Sequence, residues 1–405
     1  MIRLARHVWV LGAVTVCLWM GWSEQAHAYP QYIAKGYTTC ASCHYSPDGG
    51  GMLNAYGAAT IEAFFPTVVD GGVSTAAEWL GKNFVTGYDD DGNAALQWDL
   101  GLDARVLLLS TPMEEGGEGE IVPIPMLTEL QAVVAYGDFM AHGTLSARQA
   151  GAEISEGENA QSGLAPFSRQ HWLKYQVSET LSVRAGRMVL PYGIRNPDHS
   201  AYIRRDLGFD KYEQSHGVQA DWIAENWAIS GMVVAGDFMA KGPTATERGG
   251  VLSATAIFPG RGAVGFSGLV VKNELSQRRL FGAHLRATTG NGVYAMGECD
   301  VEVTETNDGS KSQKVLPSFF RVGVMPWEWI DAYVEIQTRI ISGTGDLSRI
   351  SYGSGFHWQV LPWLELSGAY AFVETPSSGA ADVTQEEEAV GGFTKRAMGQ
   401  IHIVY

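Results

Sequence analysis

Beyond its first 28 residues the sequence lacks any apolar run that approaches the ~18 residues of a transmembrane helix. Positive charge is also scarce, because 28 Lys and Arg stand against 44 Asp and Glu and give a formal net charge of −16. This balance argues against nucleic acid as a partner. Cysteine occurs only four times, whereas glycine (49 residues) and aromatic residues are plentiful. Composition alone is typical of a soluble secreted protein, but the order of the residues leads to a different conclusion.

The amino terminus has the features of a secretory signal peptide. Two arginines precede an apolar run from Val8 to Trp22, and Ala26-His27-Ala28 gives the small-x-small pattern that signal peptidase cleaves. Cys17 is not preceded by the small residues that a lipoprotein site requires. We therefore expect residues 1–28 to be a signal peptide and the mature chain to be exported.

A C-x-x-C-H motif occupies Cys40–His44. In this motif Cys40 and Cys43 form thioethers with the two haem vinyl groups, and His44 becomes the proximal iron ligand. A four-ligand zinc site would need a second Cys/His pair, which the isolated Cys299 does not supply. A thioredoxin-like pair would need a βαβ setting, which does not follow, and a structural disulfide or metal knuckle is the remaining alternative. The motif predicts one covalently attached haem c, the metal being the haem iron.

The motif lies in a segment, residues 29–70, that is too short to enclose a haem alone, since domains of about forty residues need outside support. Met52 in this segment is a candidate distal ligand of the iron, the alternative being packing beside its neighbours. Residues 71–94 form a polar connector. Its acidic cluster at 89–93 lacks the final bidentate Glu of a calcium loop and predicts a solvated turn.

From residue 95 to residue 405 the dominant sequence period is two. Between Leu96 and Val106 apolar side chains occupy one parity and polar side chains the other, and the same alternation recurs at 330–339 and 350–359. Because successive side chains of a strand point to opposite faces, this pattern predicts half-buried β-strands.

The spacing of the turns predicts a membrane barrel rather than a soluble sheet. Short turns fall at 137–138, 178–180, 224–226, 259–261, 289–291, 325–328 and 361–362. Longer polar stretches fall at 111–126, 147–168, 190–215, 237–249, 272–279, 303–317, 342–349 and 374–393. Their alternation joins sixteen strands with both chain ends on the short-turn side, and the last strand ends at the aromatic Tyr405, as outer-membrane barrels do.

We therefore predict an all-β fold, a 16-stranded antiparallel transmembrane β-barrel over residues 95–405, in contact with lipid of the bacterial outer membrane and with both termini periplasmic. A soluble all-β protein is the alternative. A lumen of this size accepts a plug, and the short N-terminal c-type haem segment is expected to fill that place. Lumen-parity histidines are further candidates for the distal ligand, or else ordinary polar residues of a wet wall: His142, His284, His357 and His402.

The stretch from Arg184 to Arg205 is the one basic patch in this acidic chain. Its alternation breaks at Pro191, which predicts a strand that continues into an inward-folded, constricting loop. Arginines there would pair with haem propionates, select anions or pair with lumen carboxylates.

The chain resembles the fused monohaem cytochrome–porin family, outer-membrane proteins in which a cytochrome segment precedes and plugs a sixteen-stranded porin. The resemblance rests on the signal peptide, Cys40–His44, the following Pro47, and Leu53–Gly57, which is similar to that family's Leu-Asn-x-Phe-Gly stretch. The family includes iron oxidases that take electrons from extracellular Fe(II), so the resemblance implies an iron-oxidase-like activity. Three consecutive glycines at 49–51 and the absence of a basic residue at 58–60 depart from the family pattern.

The resulting expectation is an electron-transfer protein that carries electrons between a small extracellular donor, such as Fe(II), and a periplasmic electron carrier. A single haem spans little of an apolar band ~25 Å tall, so one redox partner must enter the lumen. Acidic stretches at 114–120, 153–158 and 386–388 would concentrate cations, or are merely solvated loops. The alternative function is a haem-plugged porin for passive uptake of a small solute. The sequence offers no nucleophile set or phosphate-binding loop with usable spacing.

Overall fold

The computed structural model describes residues 30–37, 39–64, 84–88, 94–110, 121–149, 164–196, 198, 201–209, 214–240, 244–343, 347–361, 364–375 and 392–404. The predicted signal peptide, most of the connector and its acidic cluster at 89–93 lie outside these residues.

Eighteen strands form within this part of the chain, all joined in antiparallel pairs. They are β1 (Phe84–Tyr88), β2 (Ala94–Ser110), β3 (Ile121–Tyr136), β4 (Phe139–Gln149), β5 (Leu164–Phe167), β6 (His171–Gln176), β7 (Leu181–Val189), β8 (Gln214–Ala224), β9 (Trp227–Gly236), β10 (Arg248–Phe258), β11 (Gly262–Lys272), β12 (Ser276–Thr288), β13 (Val293–Thr306), β14 (Ser312–Trp327), β15 (Ile330–Ser342), β16 (Leu347–Leu361), β17 (Leu364–Thr375) and β18 (Gly392–Val404).

The strands from β2 to β18 close into a ring of sixteen. Each pairs with the next along the chain, and β18 returns to pair with β2, with Val404 opposite Asp103. β5 and β6 both pair with β4, so they are two halves of one strand interrupted at residues 168–170. The short β1 pairs with residues 94–98 at the start of β2, whereas β18 pairs with residues 103–109 further along the same strand. The predicted 16-stranded antiparallel barrel is confirmed.

The period of two separates a polar lumen from an apolar exterior. On β13, Glu298, Asp300 and Glu302 are buried inside the barrel, whereas Val293 and Val301 on the other parity are exposed. Neighbouring strands repeat this, with Phe266 of β11 and Phe281 of β12 among the exposed apolar side chains of the outer face. In a closed ring every strand has a hydrogen-bonded neighbour on both sides, so no sheet edge leaves its backbone groups unpaired. A membrane-spanning sheet requires this.

The predicted short turns lie within about three residues of the gaps between strands, but four of the predicted long loops are too long. The strands on either side are separated only by residues 111–120, 273–275, 307–311 and 343–346, instead of 111–126, 272–279, 303–317 and 342–349. The polar residues of these stretches were interpreted as loop residues. In the structure, charged side chains also occur within long strands, on the face that points into the lumen, as Arg278 and Glu302 do. In a water-accessible barrel, polar residues therefore occur on the lumen face of the strands as well as in the loops.

Three short helices accompany the barrel in the described residues: α1 (Pro30–Ala34), α2 (Ala55–Phe64) and α3 (Tyr202–Arg205), with a 3₁₀ turn at Thr244–Thr246. The side chain of Asn54 caps α2 by accepting a hydrogen bond from the backbone N–H of Gly57 at 2.9 Å. None of the described helices is long and apolar enough to cross a membrane.

Candidate functional site

The described residues of the segment that follows β7 (190–196, 198 and 201–209) fold into the lumen instead of extending away from the barrel. The backbone N–H of Gly193 donates to Ser267 Oγ at 3.0 Å, that of Ile194 donates to Glu298 Oε2 at 2.6 Å, and that of Tyr202 donates to Gln337 Oε1 at 2.9 Å. These acceptors lie on β11, β13 and β15. The expectation of an inward-folded loop at the basic patch is confirmed, and we call residues 190–209 the constriction loop.

The described part of the N-terminal segment contacts lumen-facing side chains. Asp48 forms an ion pair with Arg184 of β7, and Ser46 Oγ accepts a hydrogen bond from the same guanidinium at 3.1 Å. The Tyr45 hydroxyl donates to Asp99 of β2. Near the short-turn rim, Thr288 Oγ1 donates to the carbonyl of Ala34 at 3.1 Å.

The C-x-x-C-H motif forms a tight turn. The backbone N–H groups of Cys43 and His44 both donate to the carbonyl of Cys40, at 3.2 and 3.1 Å. His44 then forms an isolated antiparallel bridge with Leu53, which brings its ring over Gly51. Its Nδ1 lies 3.3 Å from the Gly51 carbonyl, and because a carbonyl only accepts, Nδ1 carries the hydrogen.

Burial controls the protonation of this turn. Burial, together with the positive charge of Arg195, lowers the pKa of His44 to about 4, so its ring is neutral at neutral pH. Burial raises the pKa of Cys40, and burial raises that of Cys43 to about 12. Cys40 and Cys43 do not form a disulfide with each other.

Gly49, Gly50 and Gly51 have φ angles of 80°, 66° and 68°, a left-handed conformation that side chains rarely adopt. They also fill a narrow space, because a Cβ at Gly49 would lie 2.7 Å from Cys40 Sγ and one at Gly50 would lie 2.8 Å from Arg195 Cζ. Arg195 Nη1 donates to the Gly49 carbonyl at 2.6 Å. Gly49 and Gly50 are therefore a contact between the N-terminal segment and the constriction loop.

A cavity of about 90 Å³ lies where the C-x-x-C-H motif, the constriction loop and the barrel wall meet. Cys40 and Asp48 border it from the N-terminal segment, and Tyr192 borders it from the constriction loop. Its basic lining residues are Arg195, Arg204, Arg286 and His284. The positive charge of Arg286 lies near the Cys40 thiol.

The lumen-parity histidines have different surroundings. His142 stacks on Trp172 with ring centroids 4.9 Å apart, His357 Nδ1 lies 3.2 Å from Glu365, and His402 Nε2 lies 3.1 Å from Asp103. Only His284 of these four borders the cavity beside Cys40.

Met52 is 5% exposed and immediately precedes Leu53, the bridge partner of His44. Because bridged residues point to the same side and their neighbours to the other, Met52 and His44 point to opposite sides of this bridge. Among the described residues, no group of three or more His, Cys, Asp or Glu side chains is arranged to hold a metal ion.

Sequence reasoning found the motif and the basic patch, and carboxylate pairing, one of its alternatives for the patch, is what Arg184 and Arg187 show. Arg184 and Arg187 pair with the carboxylates of Asp48 and Asp237, respectively, whereas Arg195 binds a backbone carbonyl. Arg286 was missed entirely, although its place on the parity of His284 was a usable signal. The acidic stretches at 114–120, 153–158 and 386–388 lie outside the described residues.

No protein-family model matches the sequence, and none of the curated proteins matches it either. Solved structures do match its fold. Outer-membrane expressed OmpT of Vibrio cholerae superimposes with a TM-score of 0.58 at 10% identity, over 80% of this chain and 100% of that one. An anion-selective porin from Comamonas acidovorans gives a TM-score of 0.53 at 11% identity, over 76% and 99% of the two chains. The outer membrane channel DcaP of Acinetobacter baumannii gives 0.53 at 11% identity, over 80% and 100%.

At this identity the likeness concerns the fold alone. Together with the closed ring, the apolar exterior and the polar lumen, it makes the chain a porin-type barrel of the bacterial outer membrane, in contact with lipid.

Proposed function

We propose that the protein is an outer-membrane electron-transfer barrel that carries one haem c and passes electrons between a small donor outside the cell, such as Fe(II), and a periplasmic carrier. The observation that carries this proposal is the position of the C-x-x-C-H turn, with Cys40 on the border of a cavity inside the barrel. In this proposal Cys40 and Cys43 attach the haem and His44 ligates its iron.

The residues present fit a haem in two respects. The Nδ1 hydrogen of His44 is held by Gly51, so the neutral ring has its lone pair on Nε2, as an axial ligand needs. Arg195 and Arg286 border the cavity beside Cys40 and offer guanidinium groups to two propionates. The cavity itself, about 90 Å³, is smaller than the ~300–1,000 Å³ of cofactor sites. A bound haem would supply one-electron exchange between ferric and ferrous iron.

The chain's own residues favour electrons over bulky solutes as the transported species. The constriction loop and the N-terminal segment meet inside the lumen through Arg195 and Gly49 and are held to the wall through Arg184 and Asp48. Both segments occupy space that an open porin leaves to water. A donor must still reach the haem edge, so a small soluble ion fits better than a mineral particle.

The experiment compares two cysteine variants. Cys40→Ala combined with Cys43→Ala should abolish covalent haem staining while a heat-modifiable barrel remains in the outer membrane. Cys299→Ala is the matched control, because Cys299 lies exposed on β13, away from the cavity. Added Fe(II) should reduce the haem of the control, whereas the double variant should contain no covalent haem to reduce. Equal haem staining in both variants would contradict the attachment site, and a stained barrel that Fe(II) fails to reduce would contradict the donor.

A second candidate is passive uptake of a small solute through a haem-plugged porin. The solved structures of similar fold are porins and channels, one of them described as anion-selective, and this fold-level likeness favours it. Arg195, Arg204 and Arg286 on one cavity would suit an anion. Liposome swelling with the holo-protein separates the two functions, because an electron conduit should pass sugars poorly and an uptake porin should pass its solute quickly.

A further inference from the structure

We propose that the cavity beside the constriction loop binds one small tetrahedral oxyanion, of the class of inorganic phosphate. The anion is held jointly by the constriction loop and by β12 of the barrel wall. This site does not need a haem, so the inference goes beyond the proposed electron transfer and stands or falls independently of it.

The first support is the charge of the cavity lining. Arg195 and Arg204 border the cavity from the constriction loop, and Arg286 borders it from β12. Among the described residues that line the cavity, Asp48 is the single carboxylate, and it already forms an ion pair with Arg184. Three guanidinium groups therefore border a space whose one acidic group is neutralised, and guanidinium groups bind phosphate and carboxylate oxygens best.

Glu298 of β13 does not change this balance. It interacts electrostatically with Arg286, but it is not among the residues that line the cavity. Its Oε2 accepts the backbone N–H of Ile194 at 2.6 Å. This carboxylate thus helps to hold the constriction loop and leaves the cavity to another negative group.

The second support is a pair of buried nitrogens without partners. The side chain of His284 is 3% exposed, and its Nδ1 is buried without a hydrogen-bond partner in the described structure. Nε of Arg286, two residues further along the same face of β12, is also buried and lacks a partner there. Buried polar atoms are otherwise almost always paired. Two unpaired nitrogens on one wall of one cavity indicate a missing ligand.

Both nitrogens suit an acceptor. The Nε–H of an arginine is always a donor. Nε2 of His284 lies 3.3 Å from Thr255 Oγ1 on β10, and when that hydroxyl donates to Nε2 the ring carries its hydrogen on Nδ1. A side chain at Gly265 of β11 would collide with the imidazole, so the glycine leaves room for the ring in this position. The missing ligand is therefore an anion, because a cation would be repelled by Arg286.

The third support is the size of the cavity. Its volume is about 90 Å³. One water takes about 30 Å³ in the liquid, so the space is that of about three waters. An inorganic oxyanion fits such a space, whereas a sugar phosphate or a nucleotide does not. Its several oxygens can also accept from donors on different sides of the cavity.

A bound oxyanion would connect two elements that meet there. Arg195 and Arg204 belong to the constriction loop, whereas His284 and Arg286 belong to the barrel wall. The anion would add a link to the backbone hydrogen bonds that already tie the loop to β11 and β13. Occupancy of the site should therefore protect the constriction loop from proteolysis.

The test is a calorimetric titration of the purified holo-protein with inorganic phosphate. We expect one saturable site per barrel, and slower proteolysis within residues 190–209 when phosphate is present. Arg286→Met and His284→Phe each keep the bulk of the side chain but remove an unpaired donor. The affinity should fall by about tenfold to a hundredfold in Arg286→Met, because a hydrogen bond to a charged group is lost. His284→Phe should also bind more weakly, and glucose 6-phosphate should not compete.

Arg279→Met is the matched control. Arg279 lies on the same strand, but its side chain is 44% exposed and pairs with Glu305 at 3.4 Å, away from the cavity. This variant loses the same charge and should bind phosphate like wild type. Heat-modifiability on a gel verifies that each variant has a folded barrel.

A haem propionate would present similar oxygens to the same arginines. The titration is therefore repeated on the full-length chain refolded without haem, and we expect equal phosphate binding by both forms. Binding by the haem-free chain alone would assign the arginines to the propionates and overturn the inference, while it supports the proposed haem.

Two further results would overturn the inference. One is the absence of saturable phosphate binding in both forms of the chain. The other is an unchanged affinity in Arg286→Met or in His284→Phe, which would show that the unpaired nitrogens do not bind the anion. Both leave the proposed electron transfer standing when wild type stains for haem. A wild-type barrel that binds phosphate but carries no haem would contradict the proposed function and support the anion site.

Discussion

Arg184 of β7 and Asp48 of the N-terminal segment form an ion pair that is almost completely removed from solvent, with their side chains 0% and 9% exposed. The same guanidinium lies 3.6 Å from Asp221 of β8, and Gln219 Nε2 donates to Asp48 Oδ1 at 3.2 Å. One charged residue of the barrel wall is thus a polar anchor of the N-terminal segment.

Asp48→Asn should weaken that anchor. A hydrogen bond to a charged group contributes about 1.5–3 kcal/mol, and Arg184 retains Asp221 as a partner, so we expect looser docking and not an unfolded barrel. The conductance of single barrels in planar bilayers should rise. Asp308→Asn, in the exposed turn between β13 and β14, is the control and should conduct like wild type. Equal conductance of the two variants would mean that the ion pair does not hold the segment in place.

This ion pair shows where sequence reasoning ends. The motif at Cys40–His44 and the period of two were readable because each is local, and they led to the cofactor expectation and to the barrel. Asp48 and Arg184 are 136 residues apart, and no periodicity relates the N-terminal segment to a particular strand. Which residues of a wall meet a plug depends on packing in three dimensions.

The wrong loop lengths have a related cause. Arg278 made 272–279 look like part of a solvated loop, whereas it pairs with Glu302 of β13 on the lumen face at 3.2 Å. A charge in a barrel sequence reports exposure to water, and water is present both at a loop and in a lumen. The predicted number of strands is nevertheless correct, because the positions of the turns were predicted to within a few residues.

Gly50→Ala should disrupt the contact between the N-terminal segment and the constriction loop. The new methyl group would be strained at φ 66° and would meet the Arg195 guanidinium. Left-handed strain costs about 1–2 kcal/mol by itself, and the collision adds to it. Protease sensitivity of the N-terminal segment should increase, and loading of the proposed haem should fall because the triplet adjoins Cys40.

Gly309→Ala separates strain from collision. Gly309 has φ 70°, but no atom lies within 4 Å of its added Cβ. This variant should show only the strain, in a distant turn, with unchanged haem loading and unchanged proteolysis of the N-terminal segment. If Gly50→Ala behaves in the same way, the glycine triplet is not a packing contact.

The orientation of the barrel can be tested with two turns of similar size. The N-terminal segment meets the turn after β12 through Thr288 and Ala34, and Lys35 lies 4.0 Å from Glu328 in the turn after β14. An exported chain starts in the periplasm, so these turns should be periplasmic. An epitope inserted at residues 290–291 should be inaccessible to antibody on intact cells, whereas one at 308–309 should be labelled. The opposite labelling would reverse the barrel.

Tyr192→Phe should weaken the attachment of the constriction loop to the barrel wall, while the loop itself stays in the lumen. The Tyr192 hydroxyl donates to Asp300 Oδ1 at 2.9 Å, and Asp300 Oδ2 is already buried without a hydrogen-bond partner in the described structure. Removal of the hydroxyl leaves a buried carboxylate oxygen unsatisfied, which costs about 1–3 kcal/mol. The phenyl ring still stacks on Phe209, so packing is kept. We expect larger current fluctuations in single-barrel recordings and faster proteolysis within residues 190–209.

A double-mutant cycle with Asp300→Asn isolates this hydrogen bond. Once the carboxylate is replaced by an amide, loss of the Tyr192 hydroxyl should matter less, so the combined effect on loop proteolysis should be smaller than the sum of the two single effects. Strictly additive effects would show that Tyr192 and Asp300 act independently, and the loop would then owe its place in the lumen to the backbone hydrogen bonds that Gly193 and Ile194 donate to Ser267 and Glu298.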